Sequence, residues 1–331
     1  MSYYNARLQI YEQEIPPFLL EASRIDLLER LKGVDMNCGM QYTSFPFFKD
    51  LKPYSRFEHS LGVALIVYNF TKDIKQTIAG LFHDIATPAF SHVIDFLNHD
   101  YTKQESTEEK TRELIEKSKE AIAFLNKYNL KVEEVADYHL YPIADNDTPR
   151  LSADRLEYTL GVMEYYGYCS LDRIQEMYAD LCVSKNEDGQ EEIMFQSLDK
   201  AVEFCMHSMK ASYVFSCPTD RYGMEQLARV VRQAIENGAL SEKDLYTNEE
   251  IVVHKLLNSS SKKEWLAFCN LSKIYVSKDK VDDKWIQIPT KKRYINPYVQ
   301  NVGRVSAHSK EIKEMHEEFL ALEFKEYLYA K

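Results

Sequence analysis

Residues 56–95 read RFEHSLGVALIVYNFTKDIKQTIAGLFHDIATPAFSHVID. From Phe57 to about Asp73 the apolar spacing is helical, and a second helical run covers about Lys75 to Asp84. His59 interrupts the first run. His83 and Asp84 stand side by side at the end of the second, next to Leu81 and Phe82. Burying an imidazole and a carboxylate among apolar side chains is unfavourable unless something pairs with them. A divalent cation would satisfy both. Adjacent residues on a helix diverge by about 100°, so His83 and Asp84 approach one ion only from its flank, and a further ligand has to come from another element.

The best candidate is Asp154, in the stretch SADRLEYTLG, where Ser152 is a good N-cap. Alone, Asp154 is explained as an acidic residue complementing the dipole of a first helical turn, and His59 as a hydrogen-bonded core histidine. Together, His59, His83, Asp84 and Asp154 point to a metal. A mixed imidazole and carboxylate set suits one divalent transition ion: Mn, Fe, Zn, Co or Ni.

Outward from this stretch, 331 residues allow one large domain or a domain with an appendage. Ten glycines and long amphipathic runs predict a mainly α protein. Residues 3–20 read as a short extended or hairpin piece stopped by Pro16-Pro17. Helices are expected near 22–32, 171–182, 197–215 and 220–236, the last closed by Gly238. Ser91 is expected to cap a short helix through Phe96, Thr102 with Glu105 to open a charged helix as a capping box, and Thr247 with Glu250 to start another. Asp188-Gly189 reads as an exposed turn. From about residue 273, KIYVSK, KWIQIP and KRYINPYV have β-like composition, and a final helix is predicted over 310–327. The expected architecture is a helical core over 1–240 and a smaller α+β part over 241–331.

A net charge of -11 argues against sequence-independent nucleic-acid binding, which needs a basic footprint, but leaves room for a local basic pocket that takes an anionic small molecule. On this acidic chain Lys291-Lys292-Arg293 stands out, and reads as a solvated strand edge that resists edge pairing. The N-terminal MSYYNARLQIYEQEIPP has no basic-then-apolar signal pattern, and no apolar run is long enough to span a bilayer. Six scattered cysteines without a CxxC pair read as reduced thiols. A cytoplasmic protein without membrane contact is expected.

In order along the chain, R-F-E-H-S-L-G-V, A-G-L-F-H-D-I, F-S-H-V-I-D and S-A-D-R-L-E-Y resemble the HD-domain phosphohydrolases, and most of all the branch containing the deoxynucleoside triphosphate triphosphohydrolases. The resemblance covers about residues 40–165. It implies an HD-domain helical core in which His59, His83, Asp84 and Asp154 hold one metal, and a metal-activated water that cleaves a phosphoester bond. By the same resemblance Arg56 contacts substrate phosphate and Tyr158 lies near a sugar, and the branch suggests a homo-oligomer. The chain departs from the pattern after the metal pair. Thr87 stands where the branch has a histidine, Lys103 where it has another, and Val162 where it has an acidic residue, whereas His92 and Asp95 match. Thr87 can donate one hydrogen bond but cannot act as an imidazole acid or base, and a lysine is a poor general acid near pH 7 unless strongly desolvated. His92, oriented by Asp95 three residues on, is the expected general acid or phosphate contact. His139 is a candidate to face the pocket or to recruit a second metal.

These readings converge on a metal-dependent phosphohydrolase acting on a nucleotide or related phosphate ester. The substitutions at Thr87, Lys103 and Val162 motivate the alternative, an HD-fold module that senses metal and nucleotide without turnover.

Overall fold

The computed structural model describes residues 5–102 and 110–331. The helix Arg56–Thr71 lies at its centre. Ser55 caps it by accepting from the Glu58 N–H, and Lys72 ends it in a left-handed conformation (φ 51°). Residues 56–67 are all buried, as expected of a helix enclosed on every side. Ile74–Phe82 follows, capped by Asp73, and Ala153–Tyr165 packs across the central helix, capped by Ser152. Two glycines permit that approach. A Cβ at Gly62 would meet the Glu157 side chain, and one at Gly161 would meet the Tyr54 ring. The long helices Leu198–Phe215 and Pro218–Glu236 pack on the other side of the site.

Strand β1 (Leu181–Lys185) and β2 (Glu191–Phe195) form an antiparallel hairpin around the Asp188-Gly189 turn, with Gly189 at φ 76°. Later in the chain come β3 (Ile274–Ser277), β4 (Tyr298–Val299), β5 (Gly303–Arg304) and β6 (Tyr327–Ala330). Strand β4 joins β2 in parallel, giving the order β1-β2-β4-β5, while β3 pairs with β6. The C-terminal part is thus threaded into a sheet begun before residue 200. Both hydrophobic clusters also draw from either side of residue 240. One runs from Leu8 to Cys205 and adds Ile295, Val299, Val305 and Ile312; the other joins Phe48, Phe90 and Phe96 to residues 222–271, Ile288 and Leu328.

Several local expectations need correction. The N-terminal piece is helical, Ala6–Tyr11 and Pro17–Ala22, because Asn5 caps the first and Pro17 occupies the tolerated first turn of the second. The helix predicted over 171–182 stops at Ala179, and Leu181 begins β1. The last helix is Lys310–Leu320, and Tyr327 begins a strand. KWIQIP contributes only an isolated bridge, Ile286 to Leu328, and of KRYINPYV only Tyr298–Val299 is a strand. Asn248, not Thr247, caps the helix Glu249–Leu257. The proposed Thr102–Glu105 box and Lys103 involve residues 103–109, outside the described residues; beyond them the charged segment forms two helices, Thr111–Lys117 and Lys119–Lys127, divided at Ser118. No disulfide joins the six cysteines, and no helix among the described residues is long and apolar enough to cross a membrane.

Candidate metal centre and its cavity

Three elements bring the predicted ligands together. His59 lies in the second turn of the central helix, His83 caps the C-terminus of the next helix with Asp84 just beyond, and Asp154 lies in the first turn of Ala153–Tyr165. The two Nε2 atoms of His59 and His83 stand 3.2 Å apart. Asp154 Oδ1 is 3.0 Å from the first and 3.7 Å from the second. Among the described residues, His59, His83 and Asp154 form the cluster whose ligand atoms all lie within 4.8 Å of one another. Asp84 flanks it, its Oδ2 3.5 Å from His83 Nε2 and 3.9 Å from His59 Nε2.

Three of the four candidate ligands, His59, His83 and Asp84, are fixed from behind. His83 Nδ1 lies 2.7 Å from the Gly80 carbonyl, which only accepts, so Nδ1 carries hydrogen and Nε2 a lone pair. His59 Nδ1 is 2.6 Å from Glu157 Oε2, which assigns the same tautomer. Two lone pairs aimed at one another at 3.2 Å are unfavourable without a cation between them. Donors about 2.1 Å from one ion would stand about 3.0–3.4 Å apart, as these do. In the bare protein a proton takes the cation's place. Burial alone would depress the His59 pKa, but hydrogen bonds to Asp154 and Glu157 outweigh it and raise it to about 9.

Glu157 belongs to a second layer that the sequence reading missed. It is fully buried and bonded to His59, to the Tyr54 hydroxyl and to the guanidinium of Arg7. Arg7, also fully buried, reaches Glu58 at 2.8 Å and Glu164 at 2.9 Å. Burial alone would raise the pKa of Glu157; Arg7 and His59 hold it below its usual range. The available signal was its position three residues after Asp154 in SADRLEY, which sets both carboxylates on neighbouring positions of one helix.

Arg56 donates through Nη1 to Asp84 Oδ2 (3.0 Å) and through Nε to Ser91 Oγ (3.1 Å); its Nη2 has no hydrogen bond among the described residues. Despite burial, Arg56 and the two histidines hold the Asp84 carboxyl far below its usual range. Ser91 therefore braces Arg56 and does not cap the helix Val93–Leu97. To do so Phe90 and Ser91 both take left-handed backbone conformations (φ 64° and 51°), each costing about 1–3 kcal/mol. Thr87 is fully buried and donates to Asp84 Oδ1 at 2.7 Å, behind the cavity wall, so it orients a carboxylate where a substrate contact was expected.

The cluster opens into a cavity of about 720 Å³ lined also by Arg56, His92, Tyr158, Val162 and His139. His92 Nδ1 bonds Asp95 Oδ2 at 2.9 Å, and Asp95 is fully buried. That bond leaves Nε2 for the cavity. Burial lowers the His92 pKa; Asp95 opposes the shift, while Arg293 and Arg56 add to it. His139 is half exposed, 3.0 Å from Asp137 and 3.4 Å from Asp145. The reading of Lys291-Lys292-Arg293 as a solvated strand edge is overturned. The segment joins no strand, and all three residues line the cavity, the Lys292 side chain donating to the Leu320 carbonyl.

Residues 56–163 match the HD domain family, a span containing all four candidate ligands. This part of the chain is similar to an HD domain. Among curated relatives, the uncharacterized protein YdhJ of Bacillus subtilis is 30% identical over 216 residues, and the present chain spans 64% of its length. The metal-dependent phosphohydrolase cns2 of Cordyceps militaris is 25% identical over 268 residues, covering 78% of this chain and 74% of that protein. The solved structure of a phosphohydrolase from Bacteroides thetaiotaomicron has the same fold, with a TM-score of 0.61 at 15% identity and 96% of both chains covered. A hypothetical protein from Aquifex aeolicus, covering 96% of this chain and 92% of its own, gives 0.64 at 18% identity.

Proposed function

We propose that this protein is a metal-dependent phosphohydrolase that cleaves a nucleotide or related phosphate ester. The observation that carries the reading is the convergence of the His59 and His83 Nε2 atoms, 3.2 Å apart, backed by Asp154 and flanked by Asp84. His59, His83, Asp84 and Asp154 would hold one divalent ion of the Mn, Fe, Zn, Co or Ni group. Such an ion supplies a water acidified toward neutral pH and polarises a phosphoryl oxygen.

The chain's own groups supply the rest. Arg56 keeps Asp84 ionised and turns Nη2 to a phosphate oxygen. His92 donates Nδ1–H to Asp95, so its Nε2 has to take a proton before it can give one. The charge of an approaching phosphate favours that uptake, and the imidazolium then protonates the leaving oxygen. Tyr158 lines the wall beside it. Thr87, behind Asp84, is not a missing catalytic group in this arrangement, which weakens the case for a non-catalytic sensor.

Phosphate release from a panel of nucleotides and simple phosphate esters, with Mn-loaded protein, tests the reading. Hydrolysis of at least one class is expected. Stoichiometric metal with no ester cleaved would sink it. Anomalous scattering from crystals would identify the ion.

A further inference from the structure

Asp220 is a buried carboxyl that the hydrolytic chemistry does not use. It lies in the first turn of Pro218–Glu236, is 8% exposed, and lines the same cavity. Among the described residues its side chain has no hydrogen-bond or ion-pair partner. Its neighbour Arg221 is committed elsewhere, to the carbonyls of Ser216 and Ile288 and to Glu326. Burial raises the Asp220 pKa to about 8, with Arg221 and Arg293 only partly opposing it. A carboxyl kept uncharged at neutral pH offers one donor and one acceptor side by side.

The surroundings of Asp220 differ from those of the metal cluster. The charged groups that act on it are Arg221 and Arg293, and it acts in turn on Tyr166. Phe48, Tyr158, Tyr166, Phe215 and Met224 also line the cavity. Tyr166 is held by its bond to Asn37 (2.9 Å), and the Tyr158 and Phe215 rings meet edge to face at 6.4 Å. Aromatic walls suit a flat ring. A lone polar group in such a wall stays unsatisfied until a ligand pairs with it. A fully ionised phosphate offers acceptors only and an alkyl group offers neither function, so each leaves the carboxyl at least partly unpaired. A heterocycle edge with a donor beside an acceptor, an amino group beside a ring nitrogen or a ring N–H beside a carbonyl, complements both of its functions.

We propose that Asp220 is a specificity-determining residue that pairs with the hydrogen-bonding edge, a donor beside an acceptor, of an aromatic heterocycle in the organic part of the substrate. The proposal rests on the phosphohydrolase reading for its substrate, but not for its binding chemistry. An uncharged carboxyl and an amide present the same donor and acceptor, so Asp220→Asn is expected to retain the pairing and Asp220→Leu to lose it.

Two measurements test this on the whole chain. With Mn-loaded protein, kcat/KM for adenosine and inosine monophosphates should exceed that for purine riboside monophosphate, whose six-membered ring edge carries no N–H, by roughly tenfold, the cost of leaving one buried polar group unpaired. Asp220→Leu should bring the ratio near one, and Asp220→Asn should keep it within a few-fold. Calorimetric binding of adenosine against purine riboside, which carry no phosphate, should follow the same order. Hydrolysis without this preference, or a preference that survives Asp220→Leu, overturns the proposal and leaves the phosphohydrolase reading standing. Absent hydrolysis with adenosine binding that depends on residue 220 does the reverse. Thermal melts monitor folding, and both substitutions, which remove an unpartnered carboxyl, are expected to leave the midpoint unchanged or higher.

Discussion

At the metal end of the cavity, His59, His83 and Asp84 are each held by a second group: Glu157, the Gly80 carbonyl, and Arg56 with Thr87. In the Asp220 region a carboxyl lines an aromatic wall with no hydrogen-bond or ion-pair partner among the described residues. The first region is organised before any ligand arrives, as hydrolytic chemistry requires of the groups that must be in position when the bond breaks. The second is completed only by what binds. On the proposed reading, one cavity separates a preorganised reaction site from a recognition surface that stays unsatisfied without its ligand.

The largest effect is expected where that contrast is sharpest. His83→Ala should remove the metal and reduce phosphate release to background, read by elemental analysis and a phosphate assay; full metal occupancy in that variant would break the assignment of the cluster. His92→Asn should lower kcat by about 10²–10⁴ with metal content unchanged. A matching loss of metal would instead move His92 into the ligand set.

Glu157→Gln tests whether the second layer matters. It should weaken metal affinity or activity by about 10–100-fold. It should also reduce folding stability by about 1–3 kcal/mol, since buried Arg7 loses one of the three carboxylates it meets, as urea melts would report. The smallest effect concerns pH. Burial, and then nearby Asp35, raises the Glu249 pKa to about 8. Folded protein therefore keeps this proton after the unfolded chain has lost it, so stability from this group falls as pH rises from about 4.5 to 8, by at most about 1.4 kcal/mol per unit. Melts at pH 6 and pH 8 should show less difference in Glu249→Gln than in the parent chain; an equal difference would mean that Glu249 ionises in the fold.

Much of the metal end was legible in the chain. Ser55, Asp73 and Ser152 are local caps, and the apolar periodicity between them specifies the helices that carry the four candidate ligands. Other parts were not. Arg7 meets Glu157 across 150 residues, and no local pattern encodes such a pairing. Lys291-Lys292-Arg293 looked like a charged edge because exposure was inferred from charge. It lines the cavity because β4 pairs with β2, Asn296 donates to the Pro149 carbonyl, and Arg304 bridges to Glu192, all contacts over long sequence separations.

By itself, then, the sequence determined the helical core and the candidate histidine and carboxylate set, because caps and periodicity act over a few residues and an ordered H, H-D, D pattern survives in linear form. Only the tertiary structure decided which groups stand behind those ligands, that Thr87 braces Asp84 from outside the cavity, and that Asp220 faces the cavity while Arg221 turns to other partners. Burial and pairing depend on what the rest of the chain places nearby, and that is settled only when distant segments pack together.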